Sequence, residues 1–320
     1  MRRREFLLSS GVAAMGLSAF PARWVSAAGT KKQRVLYFTR SQGFPHSVVR
    51  RKGDELAHSE KILTDLGKRS GFEVVCTKDG RVFDGDLDQW DAFAFYTTGD
   101  LTKPKTDKQH DKQDDLPMSP QGKQRLLDAI AAGKGFIGFH SATDTFHSRG
   151  PHDENQVQLD PYIAMIGGEF IIHGHQQETA VTPTSPKFPG TGGIGDSSKF
   201  LEEWYTLKNF ANNLHVVLIQ ETEGMTDPCY QRAPYPATWA RQHEKGRVFY
   251  TSFGHREDIW TNPKVQDVIL GGMAWVLRNV NADVTPNIDA VTPKAREIPK
   301  LPRPPKKPAA PAKQKPAAAK

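Results

Sequence analysis

The stretch KGFIGFHSATDTFH, from Lys134 to His147, joins an apolar run to a polar one at a histidine. Gly135 to Phe139 has the near-continuous hydrophobicity that is typical of a buried parallel strand. His140 follows this run directly, and the carboxyl end of such a strand is where α/β proteins usually bind their ligands. A single histidine at this position is also a common loop or capping residue. His140 is therefore a pocket candidate that needs support from other parts of the chain.

On the amino-terminal side of this stretch, short apolar runs alternate with helical patterns. Ser119 and Pro120 form a typical helix start, with the serine as N-cap and the proline at the first helical position. The predicted elements are, in order, strand 34–40, helix 54–70, strand 72–77, strand 91–98, helix 119–133 and strand 135–139. Helices between short buried strands indicate an α/β fold with a doubly wound, mostly parallel sheet.

The second half of the chain is richer in β-structure. Three β-like runs, Glu178–Pro183, Trp204–Lys208 and His215–Thr222, are separated by turns rich in proline and glycine. A further strand, Arg247–Phe253, runs into Gly254-His255, and Asn262-Pro263 begins a last amphipathic helix. These patterns predict an additional β-rich portion attached to the parallel sheet.

The positive charge of the chain lies at its two ends. The 320 residues carry a net charge of +7. Residues 1–28 contribute +3 and residues 294–320 contribute +8, so residues 29–293 carry 7 − 3 − 8 = −4. A nucleic-acid-binding domain is expected to carry a basic patch on its folded body. The charge distribution therefore argues against a nucleic-acid partner.

Both ends read as segments outside the fold. Residues 1–28 combine arginines, an apolar middle and the small-residue end Ser26-Ala27-Ala28, which is the pattern of a bacterial export signal. Arg3-Arg4 fits the twin-arginine type and predicts a periplasmic or otherwise exported protein. The apolar run of about 15 residues is too short for a stable membrane span, although an uncleaved anchor is the alternative. The Pro/Lys/Ala-rich tail, residues 294–320, is predicted to be disordered.

Two predicted strands end in a histidine, His140 and His255, and His46 follows the first strand. The carboxyl ends of parallel strands share one edge of a sheet, so these histidines are expected to face one pocket. Imidazole titrates near neutral pH and suits proton transfer. We take His140, His255, Asp144 and Glu203 as catalytic candidates. We take His46, Ser141, Trp204 and Arg241 as substrate-binding candidates.

A metal site is a further expectation. His173 and His175 stand two residues apart in IIHGHQ, and imidazole is a good ligand for ions such as Zn²⁺. If the segment is a strand, residues two apart project from the same face, so both imidazoles could bind one ion. If it is a loop, this spacing does not indicate their relative position. The cofactor is accordingly unknown, with a divalent metal such as zinc as the candidate. Cys76 and Cys229 allow one disulfide but do not establish it.

Several segments together resemble the ThuA-like family, named after trehalose utilisation. They include RVLYFTRSQGFPHS, SPQGKQRLLDAIAAGKGFIGFHSATDTF, YIAMIGGEFIIHGHQQ and YPATWARQHEKGRVFYTSFGHREDIW, and cover most of residues 29–293. The resemblance implies a flavodoxin-like sheet similar to class I glutamine amidotransferase domains. In that wider fold a cysteine nucleophile stands at a sharp turn after a strand. Here His140 holds that position and His255 holds that of the later histidine, which disfavours nucleophilic amidotransferase chemistry.

Two functions remain open at this point. The first is an exported enzyme that acts on a small carbohydrate, a sugar or keto-sugar, through histidine acid/base or metal-assisted chemistry. The second is a non-catalytic protein that keeps the pocket in order to bind a sugar or glycan. The sequence does not determine the reaction or the oligomeric state.

Overall fold

A nine-stranded sheet forms the centre of the computed structural model, which describes residues 32–105 and 115–301. The strands are β1 (Arg34–Phe38), β2 (Glu73–Thr77), β3 (Ala92–Phe95), β4 (Gly135–Phe139), β5 (Glu169–His173), β6 (Gln177–Pro183), β7 (Ser198–Glu202), β8 (Tyr205–Lys208), β9 (His215–Gln220), β10 (Tyr235–His243) and β11 (Gly246–Thr251). The α-helices are α1 (His58–Ser70), α2 (Pro120–Ala131), α3 (Pro161–Ile166), α4 (Glu257–Thr261), α5 (Pro263–Val276) and α6 (Ile288–Val291).

Half of the large sheet is parallel and is covered on both faces. Its strands lie in the order β2-β1-β3-β4-β11. Side chains alternate along β1, so Val35 and Tyr37 pack with residues of α1 and α5, whereas Leu36 and Phe38 pack with residues of α2 and α3. Burial on both faces explains why these strands read as continuous apolar runs. The predicted doubly wound α/β fold is confirmed.

The other half of the sheet is antiparallel. β10 pairs antiparallel with β11, and β9, β6 and β7 extend the sheet further in that order. β5 and β8 form a separate two-stranded sheet. Most of the β-rich portion expected in the second half therefore continues the main sheet, and only β5 and β8 among the described strands lie outside it. This arrangement brings the turn between β7 and β8 close to the carboxyl ends of the parallel strands.

Local chemistry sets the ends of the helices. The Ser119 side chain accepts a hydrogen bond from the Gly122 amide at 2.8 Å, which satisfies one of the free amides at the start of α2. Gly71 ends α1 in the left-handed region, with φ of 84°, where a residue without a Cβ fits best. Both helix ends lie where the capping residues in the sequence indicate them.

The signal predicted for residues 1–28 and most of the predicted tail lie outside the described residues. Of the tail, residues 294–301 are described, and Ala295 is fully buried, so the packed body continues past residue 293. Cys76 and Cys229 are both free thiols, and the disulfide that the sequence left open is not formed. Within residues 32–105 and 115–301, no helix is long and apolar enough to cross a bilayer.

Candidate active site

Four polar residues meet at the carboxyl edge of the parallel strands. His46 follows β1, His140 follows β4 and His255 follows β11. Parallel strands present their carboxyl ends on one side of a sheet, so the topology brings these three turns together. Glu203 arrives from the antiparallel half, in the turn between β7 and β8. We call His46, His140, Glu203 and His255 the Glu203 cluster.

His140 stands on a strained turn. Its φ is 40°, a conformation that costs energy for a residue with a Cβ, and a 3₁₀ turn over His140–Asp144 follows it. The imidazole is completely buried, and its Nδ1 lies 3.0 Å from the carbonyl oxygen of Ser252. A carbonyl oxygen only accepts, so this contact puts the proton on Nδ1 and leaves Nε2 with a lone pair.

One carboxylate oxygen is the centre of the cluster. Oε2 of Glu203 lies 3.0 Å from His255 Nδ1, 3.4 Å from His140 Nε2 and 3.9 Å from His46 Nε2. The potential ligand atoms of the four residues all lie within 4.8 Å of one another. The other oxygen, Oε1, lies 3.3 Å from Nδ1 of His173. Three buried or nearly buried imidazoles thus share a single carboxylate.

Burial and this shared charge set the protonation states. Burial lowers the pKa of His140 to about 3 and also lowers the pKa of His46. Burial opposes ionisation of Glu203 as well, but contact with the imidazoles outweighs it and holds the pKa of that carboxyl far below its usual range. The pKa of His255 is raised, because its contact with Glu203 outweighs burial. Near neutral pH, His140 is therefore neutral and Glu203 is ionised.

Glu202 fixes the backbone on both sides of the cluster. Its buried carboxylate accepts hydrogen bonds from the amide of Glu203 at 2.9 Å and from the amide of Gly254 at 3.0 Å. Gly254 has a φ of 131°, which only glycine adopts easily, and precedes His255. Burial raises the pKa of Glu202 to about 7. This side chain therefore positions two members of the cluster through their backbones.

Aromatic rings surround the cluster. Tyr205 packs on His140 with ring centroids 4.1 Å apart, and its hydroxyl lies 3.3 Å from His46 Nε2. Tyr96 contacts the rings of both histidines from the other side. The ring of Phe44 lies edge-on to His46 with 65% of the residue exposed. The cluster is thus walled by aromatic side chains and has an exposed ring at its mouth.

The comparisons with known proteins agree with this architecture. The family whose pattern matches residues 34–276 is ThuA, described as trehalose utilisation. The chain belongs to the ThuA family. This confirms the resemblance seen in the sequence and links the chain to carbohydrate metabolism. No curated protein matches the chain.

Two solved structures of ThuA-like proteins share the fold. The one from Bacteroides uniformis is 16% identical, with a TM-score of 0.54, and the match covers 78% of this chain and 94% of that one. The one from Parabacteroides merdae is also 16% identical, with a TM-score of 0.54, over 79% of this chain and 92% of that one. At this identity the likeness shows the fold of the ThuA-family chain and not its reaction.

Asp144, a predicted catalytic residue, belongs to a second set of charges. Its Oδ1 lies 2.7 Å from His147 Nε2, and His147 Nδ1 lies 3.1 Å from Oε1 of the buried Glu169. Glu169 also accepts from Asn209 at 2.8 Å and lies 3.9 Å from the buried Lys208 ammonium. The two carboxylates outweigh burial and raise the pKa of His147 to about 9. We call Asp144, His147, Glu169 and Lys208 the His147 cluster.

Three predicted substrate-binding residues, Trp204, Arg241 and Ser141, are buried. Trp204 is buried and donates to the carbonyl oxygen of Gln177, because neighbours along an extended chain point to opposite sides and Glu203 takes the side of the site. Arg241 lies on antiparallel β10 opposite Val248, well before the carboxyl edge, and donates to carbonyl oxygens that end α3. Ser141 is completely buried, and its hydroxyl has no partner among the described residues.

The predicted metal pair, His173 and His175, is not brought together as a pair. β5 ends at His173, so the alternation that would place both on one face stops there. His173 lies beside Glu203, whereas His175 turns away and its Nδ1 lies 2.7 Å from Asp227 Oδ2. The residues that converge as metal ligands are instead those of the Glu203 cluster.

Sequence reasoning missed several residues of the site. Phe44 stands in the loop GFPHS beside His46, and an exposed aromatic next to a candidate histidine was a signal available in the sequence. Tyr205 follows Glu203 by two residues, which is the spacing that puts both on one side of an extended chain. Glu202 carried no local signal, because its role depends on a contact with Gly254, 52 positions away.

Proposed function

We propose that the chain is an enzyme of carbohydrate metabolism that moves a proton at a carbon next to the carbonyl of a keto-sugar. The observation that carries this proposal is the convergence of three imidazoles on one oxygen of Glu203 at the carboxyl edge of the sheet. This cluster is rich in bases that can accept a proton, and His255, whose pKa is raised by Glu203, can donate a hydrogen bond to a carbonyl oxygen. The ThuA description, trehalose utilisation, supports a sugar as substrate.

The residues at the surface of the cluster would contact the substrate. His255, with a raised pKa and a partly exposed side chain, would donate a hydrogen bond to the carbonyl oxygen. His173 lies on the other side of Glu203, and its Nδ1 is 2.8 Å from the carbonyl oxygen of Gly174. That contact puts the proton on Nδ1 and leaves Nε2 able to accept a proton from carbon. Phe44 offers an apolar ring on which a sugar can stack.

A covalent mechanism has little support in the structure. His140 occupies the strained turn, and the neighbouring Ser141 hydroxyl is buried and makes no hydrogen bond to a base among the described residues. Burial raises the pKa of Cys76 to about 12 and also raises the pKa of Cys229, so neither thiol is activated as a nucleophile. The proposal therefore uses proton transfer and electrostatic stabilisation. It also retains export, which rests on Arg3-Arg4 and the apolar segment that follows them.

The test is hydrogen exchange at carbon in D₂O, followed by NMR with keto-disaccharides as probes. Enzyme is expected to label the carbon next to the carbonyl and to form product. His255→Gln and His173→Ala are each expected to lower the rate by about 10²- to 10⁴-fold, the usual contribution of a general acid or base. The matched control is His243→Ala, which should retain the rate. His243 is the last residue of β10 and pairs with Gly246 at the start of β11, at the edge of the sheet away from the site.

The same samples separate the two functions. Sugar binding without exchange or conversion, unchanged in His255→Gln, would overturn the enzyme proposal and favour the non-catalytic sugar-binding protein. Exchange that persists at full rate in both variants would overturn the assignment of His255 and His173.

A further inference from the structure

The geometry of the Glu203 cluster points to a binding site for a divalent transition-metal ion such as Zn²⁺. We propose that the ligands are Nε2 of His46, Nε2 of His140, Nδ1 of His255 and Oε2 of Glu203. This deepens the proposed function, since an ion held there would polarise the sugar carbonyl. The metal itself can be tested without any sugar, so the two proposals can fail separately.

The donor atoms are already close to the spacing that one ion requires. Nitrogen and oxygen ligands bound at about 2.0–2.2 Å lie roughly 3.0–3.4 Å from each other around a tetrahedral or octahedral ion. Glu203 Oε2 lies 3.0, 3.4 and 3.9 Å from the nitrogens of His255, His140 and His46. All four donors lie within 4.8 Å of one another. Side-chain movements of less than about 1 Å would close the set.

Two of these nitrogens lack any hydrogen-bond partner of their own. Among the described residues, His140 Nε2 and His255 Nδ1 are buried and make no hydrogen bond, although Glu203 Oε2 is near both. A buried polar atom without a partner costs about 1–3 kcal/mol. The distances from these nitrogens to Glu203 Oε2 are short, but the geometry is not that of a hydrogen bond. Lone pairs of the two nitrogens and of the oxygen that point toward one common position would produce this arrangement. A cation between the donors would satisfy all of them at once.

Outer contacts orient the ligands as they do in metal sites. The Ser252 carbonyl oxygen accepts from His140 Nδ1, which turns the lone pair of Nε2 toward the cluster. His173 Nδ1 lies 3.3 Å from Oε1 of Glu203, whereas Oε2 is the oxygen next to the other three imidazoles. Glu202 holds the amides of Glu203 and Gly254, next to two of the ligands.

The donor set selects the class of ion. Three imidazole nitrogens with one carboxylate suit zinc and its first-row neighbours, whereas magnesium and calcium prefer oxygen ligands. The Tyr205 hydroxyl lies 3.3 Å from His46 Nε2, longer than a normal hydrogen bond, so an ion that displaces this contact loses little. The partly exposed side at His255 and Glu203 leaves a face on which a sugar oxygen can approach the ion.

The experiment measures metal in untagged, full-length protein. Metal-stripped protein is incubated with Zn²⁺, desalted and assayed for metal content, and affinity is measured by calorimetry. Co²⁺ replaces Zn²⁺ in a parallel sample, in which visible absorption bands report nitrogen and oxygen coordination. One ion per chain is expected. Glu203→Gln keeps the shape of the side chain and is expected to weaken Zn²⁺ binding at least about 10-fold, and His140→Ala at least about 100-fold.

Two variants serve as controls. His175→Ala removes the second histidine of the HGH segment, and His243→Ala removes a histidine at the last position of β10. Both variants should bind Zn²⁺ with an affinity within about 3-fold of that of the parent, because neither residue belongs to the Glu203 cluster. Binding that is lost in His175→Ala but kept in Glu203→Gln would overturn the proposal in favour of the HGH segment. Less than stoichiometric Zn²⁺ in the folded parent would overturn it outright. If His140→Ala does not fold, the near-isosteric Glu203→Gln decides.

Discussion

The Glu203 cluster and the His147 cluster contain the same kinds of side chain in opposite proportions. In the first, three imidazoles surround one carboxylate. In the second, one imidazole lies between the carboxylates of Asp144 and Glu169, with the Lys208 ammonium nearby. The two sets lie at opposite ends of one 3₁₀ turn, since His140 begins that turn and Asp144 ends it.

The proportions decide what each cluster can do. His147, flanked by two carboxylates, has a pKa of about 9 and is a cation at neutral pH that links Asp144, at the end of the 3₁₀ turn, to Glu169, at the start of β5. His140 has a pKa of about 3, stays neutral and keeps a lone pair available. The first cluster is an excess of bases that suits a cation or a substrate proton. The second is a nearly balanced set of charges that suits structure.

The largest expected difference between the clusters is in stability. Glu169→Ala leaves the Lys208 ammonium and the His147 imidazolium without their buried counter-charge, and is expected to lower the free energy of unfolding by about 3–5 kcal/mol. Glu203→Ala in chelator-treated protein should cost less than half of that, because His140 is already neutral and His255 can lose its proton. Urea unfolding at pH 7.5 measures both. Equal losses would break the distinction between a structural and a functional cluster.

Opposite pH dependence is the next expected effect, again in chelator-treated protein. The pKa of His140 is lowered from 6.5 to about 3, so the unfolded chain binds the extra proton first and stability falls as pH drops from 6.5 toward 3. The pKa of His147 is raised from 6.5 to about 9, so its contribution is complete below pH 6.5 and is lost as pH rises toward 9.

The two slopes are measured by urea unfolding across pH 4 to 9. His140→Asn should remove roughly 2–4 kcal/mol of the acid-side loss. His147→Gln should remove about 1 kcal/mol of the alkaline-side loss, a smaller figure because the partly exposed ring is screened by solvent. A variant that flattens the wrong side of the profile would show that the protonation states are assigned incorrectly.

The smallest expected effect concerns the mouth of the site. Phe44→Ala removes an exposed ring, so stability should change by less than about 0.5 kcal/mol. If sugars stack on this ring, their binding should weaken by about 3- to 10-fold. Leu201→Ala, an equally simple truncation at an exposed apolar residue on β7, is the control and should leave binding unchanged. If the two substitutions change sugar affinity equally, Phe44 does not contact the sugar.

Much of the fold was predictable from local patterns. Buried parallel strands are apolar along their whole length, so the point where each run becomes polar marks the carboxyl edge. His46, His140 and His255 were found in this way, each directly after such a run or a few residues beyond it. Chain punctuation at Ser119-Pro120 and Gly71 located the helix ends for the same reason, since capping depends on neighbouring residues.

The antiparallel half was less predictable. β10 is buried along most of its length and shows no alternation that would indicate its direction or its neighbours, which depend on pairing with β9 and β11. For that reason the sequence pattern predicts Arg241 as a substrate-binding residue, although in the structure it lies well away from the site. The prediction for Trp204 fails as well, because the chain directs Glu203 toward the histidines and Trp204 into the core.

By itself, the sequence determined the doubly wound sheet, the family and three histidines at one edge, because these depend on short-range hydrophobicity and on motifs. Only the tertiary structure decided that Glu203 stands at the centre of those histidines, that His173 and His175 separate, and that Asp144 belongs to a different set of charges. The reason is physical: the proportion of imidazole to carboxylate at a point in space depends on contacts between residues far apart in the chain, and those proportions set each pKa.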